Sequence, residues 1–397
     1  MSDGMAKHGI SFSSMKQPPL LKLIKGILSE YPDGGQILKE LIQNAEDAGA
    51  DEVRIMYDGR RINNDTSETA PAYNKFFKGP ALCVYNNAEF TEEDWEGIQM
   101  IYSSKKEHNP LKVGRFGLGF KSVFHVTDYP CLISGKKLLM IDPQQPTERV
   151  NALVDLCMVG SLEEEGLSCE AFWTAIGDTF GLSWDHVKCG YFPGTLFWFP
   201  LRETSSALSE TLYDEAKIEN LFDGFQSEAS SILLFLKNLE TVSMSIREND
   251  KVLKEYSKVT IQDRDGVVRQ RRFEFKKNVL SLADASDRDD LQNDIQMSIK
   301  VTAPGVCKTY EWLVVNYFVG RSASADFMGL IQDRILAYSP YVGVAALLHA
   351  SPEASEGHVF CFLPLPREGS LSTGLPVHVN GFFALSQNRH HLKWETD

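Results

Sequence analysis

QILKELIQNAEDA, residues 36–48, is the stretch on which the reading of this chain turns. At about 100° per residue, Leu38, Ile42 and Ala45 share one side of a helix, with Leu41 on their flank. Glu40, Asn44 and Asp47 gather on roughly the opposite side. Gly49 supplies the stop, since glycine takes the left-handed C-cap conformation without a Cβ penalty. Upstream, Pro18 and Pro19 introduce LLKLIKGILSE (20–30), whose apolar residues recur at helical spacing, and YPDGG (31–35) breaks that helix. Downstream, DEVRIMYDG (51–59) alternates like a strand ending in a turn. Taken alone, 36–48 reads as a surface helix with a solvated polar face.

A second segment changes that. In VGRFGLGF (113–120), Gly114, Gly117 and Gly119 stand where a chain turns tightly and opens a helix with its amide N–H groups free. Such an N-terminus favours anions, because the unpaired donors and the helix dipole act together. The segment is not a Walker A loop, since no Gly-Lys-Ser/Thr follows. Nor is it a Rossmann fingerprint, because no short βαβ frame surrounds it. By itself it is a glycine-rich turn.

Together the pieces match a family. ELIQNAEDA (40–48) resembles the N-box of the gyrase, heat-shock protein 90, histidine kinase and MutL superfamily. VGRFGLGFKSVFHV (113–126) resembles its glycine box, and GTLFWFPLR (194–202) resembles the later strand lining the adenine pocket. The three lie in the family's order. YPDGGQILKELIQNAEDAGADEV, ALCVYNNAEFTEEDWEGIQ and LPVHVNGFFALSQNR look, more closely, like the sacsin-type repeat. That likeness covers most of the chain and weakens over 143–190 and 245–355.

The resemblance implies a Bergerat-type two-layer α/β sandwich, with helices on one face of a mixed, mainly antiparallel sheet, and the ligands ATP or ADP and Mg²⁺. It makes Glu40 the general base, Asn44 the Mg²⁺ ligand and Asp47 a shaper of the pocket floor. The backbone of Gly114, Gly117, Leu118, Gly119 and Phe120 would cover the phosphates. Thr195 would sit near the adenine through a water. A short polar lid is expected over 101–112, and Arg389 could reach the γ-phosphate from a second domain. The expected activity is that of a chaperone-like ATPase module, slow or conditional, with other chaperones or client proteins as partners. The alternative is a degenerate nucleotide fold serving as an interaction scaffold.

One departure bears on affinity. Where the superfamily has Asp-x-Gly-x-Gly, this chain has Tyr85, Asn86, Asn87, Ala88 and Glu89. Asn86 is taken as the replacement, although an ungapped count points at Tyr85. An amide carbonyl loses charge assistance, a difference of about 1–2 kcal/mol, so binding is expected to weaken by roughly 5- to 30-fold.

The rest of the sequence sets limits. The chain has 397 residues and a formal charge of −14. Two domains are expected at that length, and the acidity disfavours nucleic acid and a MutL- or gyrase-like DNA enzyme. No apolar run suits a membrane span, no secretory signal is read, and seven scattered cysteines fit reduced thiols in a cytoplasmic chain. No phosphoacceptor helix precedes the N-box, which argues against a histidine kinase. Residues 1–17 read as a polar, mobile leader, 18–240 as the ATP-binding domain and 241–397 as a β-rich, incomplete middle-domain-like region. Within these, SEASSILLFL (227–236) reads as a helix, and KVTIQDRDGVVRQRRFEF (258–275) as β structure turning at Asp265-Gly266. Trp198 reads as core, and His390 and His391 as exposed polar residues.

Overall fold

The amphipathic patterns of the first fifty residues produce α1 (Leu20–Glu30) and α2 (Gln36–Ala48), the latter closed by Gly49 at φ 86°. This is a computed structural model, and it describes residues 19–30, 33–64, 70–99, 119–146, 149–248, 253–282, 289–324, 329, 339–349, 356–365 and 372–383. After α2 come β1 (Glu52–Asp58), β2 (Ala81–Asn86) and α3 (Glu92–Gln99). The start of α3 is a capping box. Thr91 Oγ1 accepts from the Asp94 N–H at 3.2 Å, and the Asp94 carboxylate accepts from the Thr91 N–H at 2.9 Å. A 3-10 helix spans Gly119–His125, and the hairpin β3 (Cys131–Gly135) and β4 (Lys137–Ile141) leads to β5 (Asn151–Asp155). Then follow α4 (Cys169–Ile176), α5 (Trp184–Cys189), β6 (Phe192–Pro200) and α6 (Glu215–Glu228).

The remaining elements are β7 (Thr241–Arg247), β8 (Lys254–Gln262), α7 (Val267–Leu282), β9 (Leu291–Ala303), β10 (Val306–Phe318), β11 (Tyr341–Leu347), β12 (Val359–Cys361), β13 (Leu363–Pro364) and β14 (Val377–Gly381). The strands form a single sheet in the order β13-β12-β14-β11-β10-β9-β8-β7-β1-β2-β6-β3-β4-β5. Its pairs are antiparallel except β1 with β7 and β12 with β14. The fold is therefore mixed α+β with a large, mostly antiparallel sheet. Because β7 lies parallel to β1, the sheet runs through residue 240 without a break.

Side-chain alternation divides the core. Val53, Ile55 and Tyr57 of β1, Leu82 and Val84 of β2 and Phe197 and Phe199 of β6 pack with α1, α2 and α6. The intervening Met56, Cys83 and Trp198 face the other way, onto Phe172 and Ile176 of α4 and Val187 of α5. Helices thus cover both faces of this half of the sheet, where the sequence places them on one. The stretch over 143–190, loose in sequence, supplies the third layer.

Two elements differ from expectation. Residues 267–282 are helical, not β. Asp263 caps this helix, accepting from the N–H groups of Val268 at 3.1 Å and Arg269 at 2.8 Å. Its buried side is Val268, Arg272, Phe275 and Val279, and the charged Arg272 in that stripe hides the helical period from a hydrophobicity reading. The helix expected at 227–236 instead ends as α6 at Glu228, and Ala229–Phe235 continue as turns with Ile232, Leu233 and Phe235 buried.

Candidate functional site

α2 packs against the 3-10 helix of Gly119–His125, and that contact brings two of the sequence motifs together. Glu40 is 2% exposed and accepts from Gln36 Nε2 at 3.0 Å, one turn earlier. Its carboxylate lies directly behind Gly119, where any side chain would collide with it. Asn44 and Asp47 follow on the same side of α2 and are half-buried. Among the described residues, the Asn44 side chain makes no hydrogen bond.

α2 is not the surface helix that its polarity suggests, because its other polar side is buried too. Lys39 Nζ sits 2.7 Å from the Glu228 carboxylate and donates to the Pro364 carbonyl at 2.8 Å. Glu46 accepts from the N–H groups of Lys237 at 2.7 Å, Asn238 at 3.0 Å and Leu239 at 3.0 Å. Each buried charge has its partners, as burial requires.

The strand side of the site is built by β2 and β6. Asn86 and Thr195 stand opposite each other in their ladder. Asn86 Oδ1 accepts from the Ala88 N–H at 3.0 Å, which leaves its amide N–H₂ without a partner among the described residues. Strand alternation sends the two neighbours to opposite faces. Asn86 follows Leu82 and Val84 on the α2 face, whereas the Tyr85 ring packs on Phe180 and Phe192 on the far face, at 5.8 and 6.0 Å. Asn87 is occupied elsewhere, accepting from the N–H groups of Asp51 and Glu52 at the start of β1.

Thr195 is 1% exposed, and its hydroxyl donates to the Ala88 carbonyl at 2.8 Å. Ser134 Oγ lies 2.8 Å from it and accepts from the Phe90 N–H at 2.8 Å. In this structure Thr195 holds the chain after β2 in place. Gly194, at φ 117°, leaves no room for a side chain beside the Asn86 carbonyl, since a Cβ would stand 2.7 Å from it.

The 3-10 helix is held at both ends. The Phe120 ring is 5.9 Å from that of Phe197, and Lys121 Nζ donates to the Ile98 carbonyl at 2.7 Å. Burial pushes the Lys121 ammonium down to about 8. Beyond it, the Arg202 guanidinium donates to the carbonyls of Phe124 at 2.5 Å, His125 at 2.8 Å and Thr127 at 3.2 Å, and pairs with Asp128 at 2.7 Å. Gln36, Lys39, Glu46 and Ser134 were not legible as site-building residues, because their partners are remote in sequence. Gly114, Gly117, Leu118, Arg389, His390, His391 and the lid at 101–112 lie outside the described residues.

A family profile, the Sacsin domain, matches residues 17–258, which include every site residue described above except Pro364. The chain belongs to the sacsin family. Human sacsin is 39% identical over 400 residues, covering 95% of this chain but 8% of that protein. The sacsin-family chain therefore spans a small part of its relative's length. A solved structure, the N-terminal domain of a DNA repair protein, overlaps 94% of this chain and 88% of its own at 9% identity. Its TM-score of 0.37 is too low to carry an argument.

Proposed function

We propose that this sacsin-family chain is an ATP-binding, chaperone-like conformational module with weak nucleotide binding and slow or conditional Mg²⁺-dependent hydrolysis. The observation that carries the reading is the face of α2. Glu40 is clamped by Gln36 against Gly119, while Asn44, one turn along, keeps its amide free of hydrogen bonds among the described residues. A buried carboxylate beside a glycine backbone is suited to orient a water and take its proton. A half-exposed amide oxygen fits Mg²⁺, a hard cation that retains several waters and leans on phosphate oxygens. When bound, the metal would neutralise phosphate charge, and Asn44 would be its protein ligand.

In this proposal the backbone from Gly114 to Phe120 covers the phosphates and Asp47 shapes the pocket floor. Asn86 Oδ1, which already accepts from the Ala88 N–H, would also accept from the adenine amino group, and Thr195 acts by fixing the loop beside it. We assign the nucleotide unit to 18–240 and a β-rich unit to 241–397, with Arg389 contributing from the latter. All seven cysteines are unbridged, which suits a reducing cytoplasm. Among the described residues no helix is long and apolar enough to cross a membrane. Other chaperones or client proteins are the proposed partners, and the charge of −14 disfavours nucleic acid.

Calorimetric titration of the whole chain with Mg²⁺ and ATP tests the reading. Binding in the micromolar to millimolar range, lost in Asn44→Ala, is expected. Silence at millimolar ATP would favour the scaffold alternative. That alternative draws on Asn86 in place of a carboxylate and on a Thr195 hydroxyl already engaged by protein.

A further inference from the structure

The consecutive residues Lys39 and Glu40 reach in different directions. Glu40 presses on Gly119 at the start of the 3-10 helix. Lys39 leaves α2 on another side and ties it to two distant places, the Glu228 carboxylate at the end of α6 and the Pro364 carbonyl of β13. Pro364 is 325 residues further along the chain, on the outermost strand of the sheet. Both side chains of the ion pair are about nine-tenths buried, so solvent screens it little. A second anchor, Glu46 on the N–H groups of Lys237, Asn238 and Leu239, prevents α2 from yielding locally when Lys39 is pulled. A helix pinned in this way moves as a rod.

We propose that Lys39 is a positioning residue through which α2 couples the glycine segment at Gly119 to the docking of the β12–β13 edge, so that release of this edge shifts Glu40 and regulates the site. In this proposal the seat of Glu40 on Gly119 follows the position of the N-terminal half of α2, which Lys39 holds and which the Glu46 anchor, further along the helix, does not replace. The ammonium of Lys39 makes a direct hydrogen bond from α2 to β13. The inference deepens the nucleotide reading, and only its regulatory arm rests on that reading.

Hydrogen exchange on the whole chain without nucleotide tests the coupling directly. Lys39→Met keeps the length of the stem and removes the charge. It is expected to raise exchange several-fold in two separate segments, 359–365 and 119–125, while β2 and β6 stay as protected as in the parent. Lys39→Arg, which can meet the same two acceptors, should restore both. Loosening of 359–365 with 119–125 unchanged would overturn the coupling, because Lys39 would then merely anchor an edge. Should Lys39→Met fold poorly, Glu228→Gln removes the counter-charge while leaving the Pro364 bond. It must loosen the same two segments, and a uniform rise across the sheet would count against the proposal.

Mg²⁺ and ATP, added to the parent chain with binding followed by calorimetry, should slow exchange at 119–125 and 359–365 together. In Lys39→Met only 119–125 should respond. Binding without any response at 359–365 would overturn the regulatory arm. A chain that binds no nucleotide would overturn the nucleotide reading instead, and the comparison without nucleotide would still decide the coupling.

Discussion

A methyl group built on Gly119 would stand 2.0 Å from Glu40 Oε2 and 2.9 Å from its carboxyl carbon. The two residues are 79 positions apart, and a side chain at position 119 would displace the Glu40 carboxylate. Their contact joins the helix motif to the glycine motif, and it is available to no residue but glycine.

Gly119→Ala should therefore act on Glu40. Overpacking of this kind costs about 1–3 kcal/mol in stability, and displacement of the carboxylate should abolish turnover as fully as Glu40→Ala does. For Glu40→Ala a fall of about 10²- to 10⁴-fold in rate is expected, with ATP still bound. Single-turnover assays beside calorimetry check both variants. Equal turnover by Glu40→Ala and the parent would remove Glu40 from the chemistry.

Asn44→Ala should remove Mg²⁺-dependent binding while leaving the melting temperature within a degree or two of the parent. The side chain is half-buried and makes no hydrogen bond among the described residues, so its loss strands no buried partner. An unfolded variant, or one that binds normally, would contradict the assignment.

Asn86→Asp restores a carboxylate at the end of β2. Its oxygen keeps the bond from the Ala88 N–H, and the second oxygen replaces the free N–H₂. If the adenine amino group is the partner, affinity should rise about 5- to 30-fold. A fall in affinity would show instead that the N–H₂ of Asn86 donates to an acceptor on the base.

Arg202→Met should be among the costlier single changes. It strands Asp128 and the carbonyls of Phe124, His125 and Thr127, and breaking a buried pair from one side typically costs about 3–5 kcal/mol. Lys217→Met removes an ion pair of the same 2.7 Å length, but from a site where both partners are partly exposed. It should cost about 1 kcal/mol or less. Urea melts of the two variants side by side are the measurement.

Alkaline pH should stabilise the fold before it harms it. Burial holds Lys121 and Lys237 at about 8, below the ordinary lysine value of 10.5. Between those values the unfolded chain binds more protons on these lysines than the folded one, so stability rises with pH. The slope is at most about 1.4 kcal/mol per pH unit for each lysine. Higher still the sign reverses, because burial pushes the Tyr57 phenol up to about 12 and its late ionisation favours the unfolded chain. Relative to the parent, Lys121→Met should lose ground steadily as pH climbs above about 8. A constant difference in urea stability across that range would contradict the burial effect.

Several features were legible in the residues alone. The α1 and α2 helices, the Gly49 stop and the strand β1 follow from short-range rules, whereas the mainly antiparallel sheet was implied by the family resemblance. Periodicity, capping chemistry and the backbone freedom of glycine act within a few residues and leave a local mark. Residues 267–282 misled because one buried arginine broke an apolar stripe. Arg272 is tolerated there because its Nη2 donates to the carbonyls of Leu236 and Leu239, a partnership no local pattern announces.

The sequence by itself thus determined the family resemblance, the type of most elements and the residues worth suspecting on α2. Only the tertiary structure decided that Asn86 and not Tyr85 looks toward α2, that Thr195 is bound to Ala88, and that Glu40 rests on Gly119. It also decided that α2 is buried on its polar sides, against Pro364 and the turn at Lys237. The reason is physical. A polar side chain carries the same letter in water as inside a protein, and its meaning comes from partners that only long-range packing brings within about 3 Å.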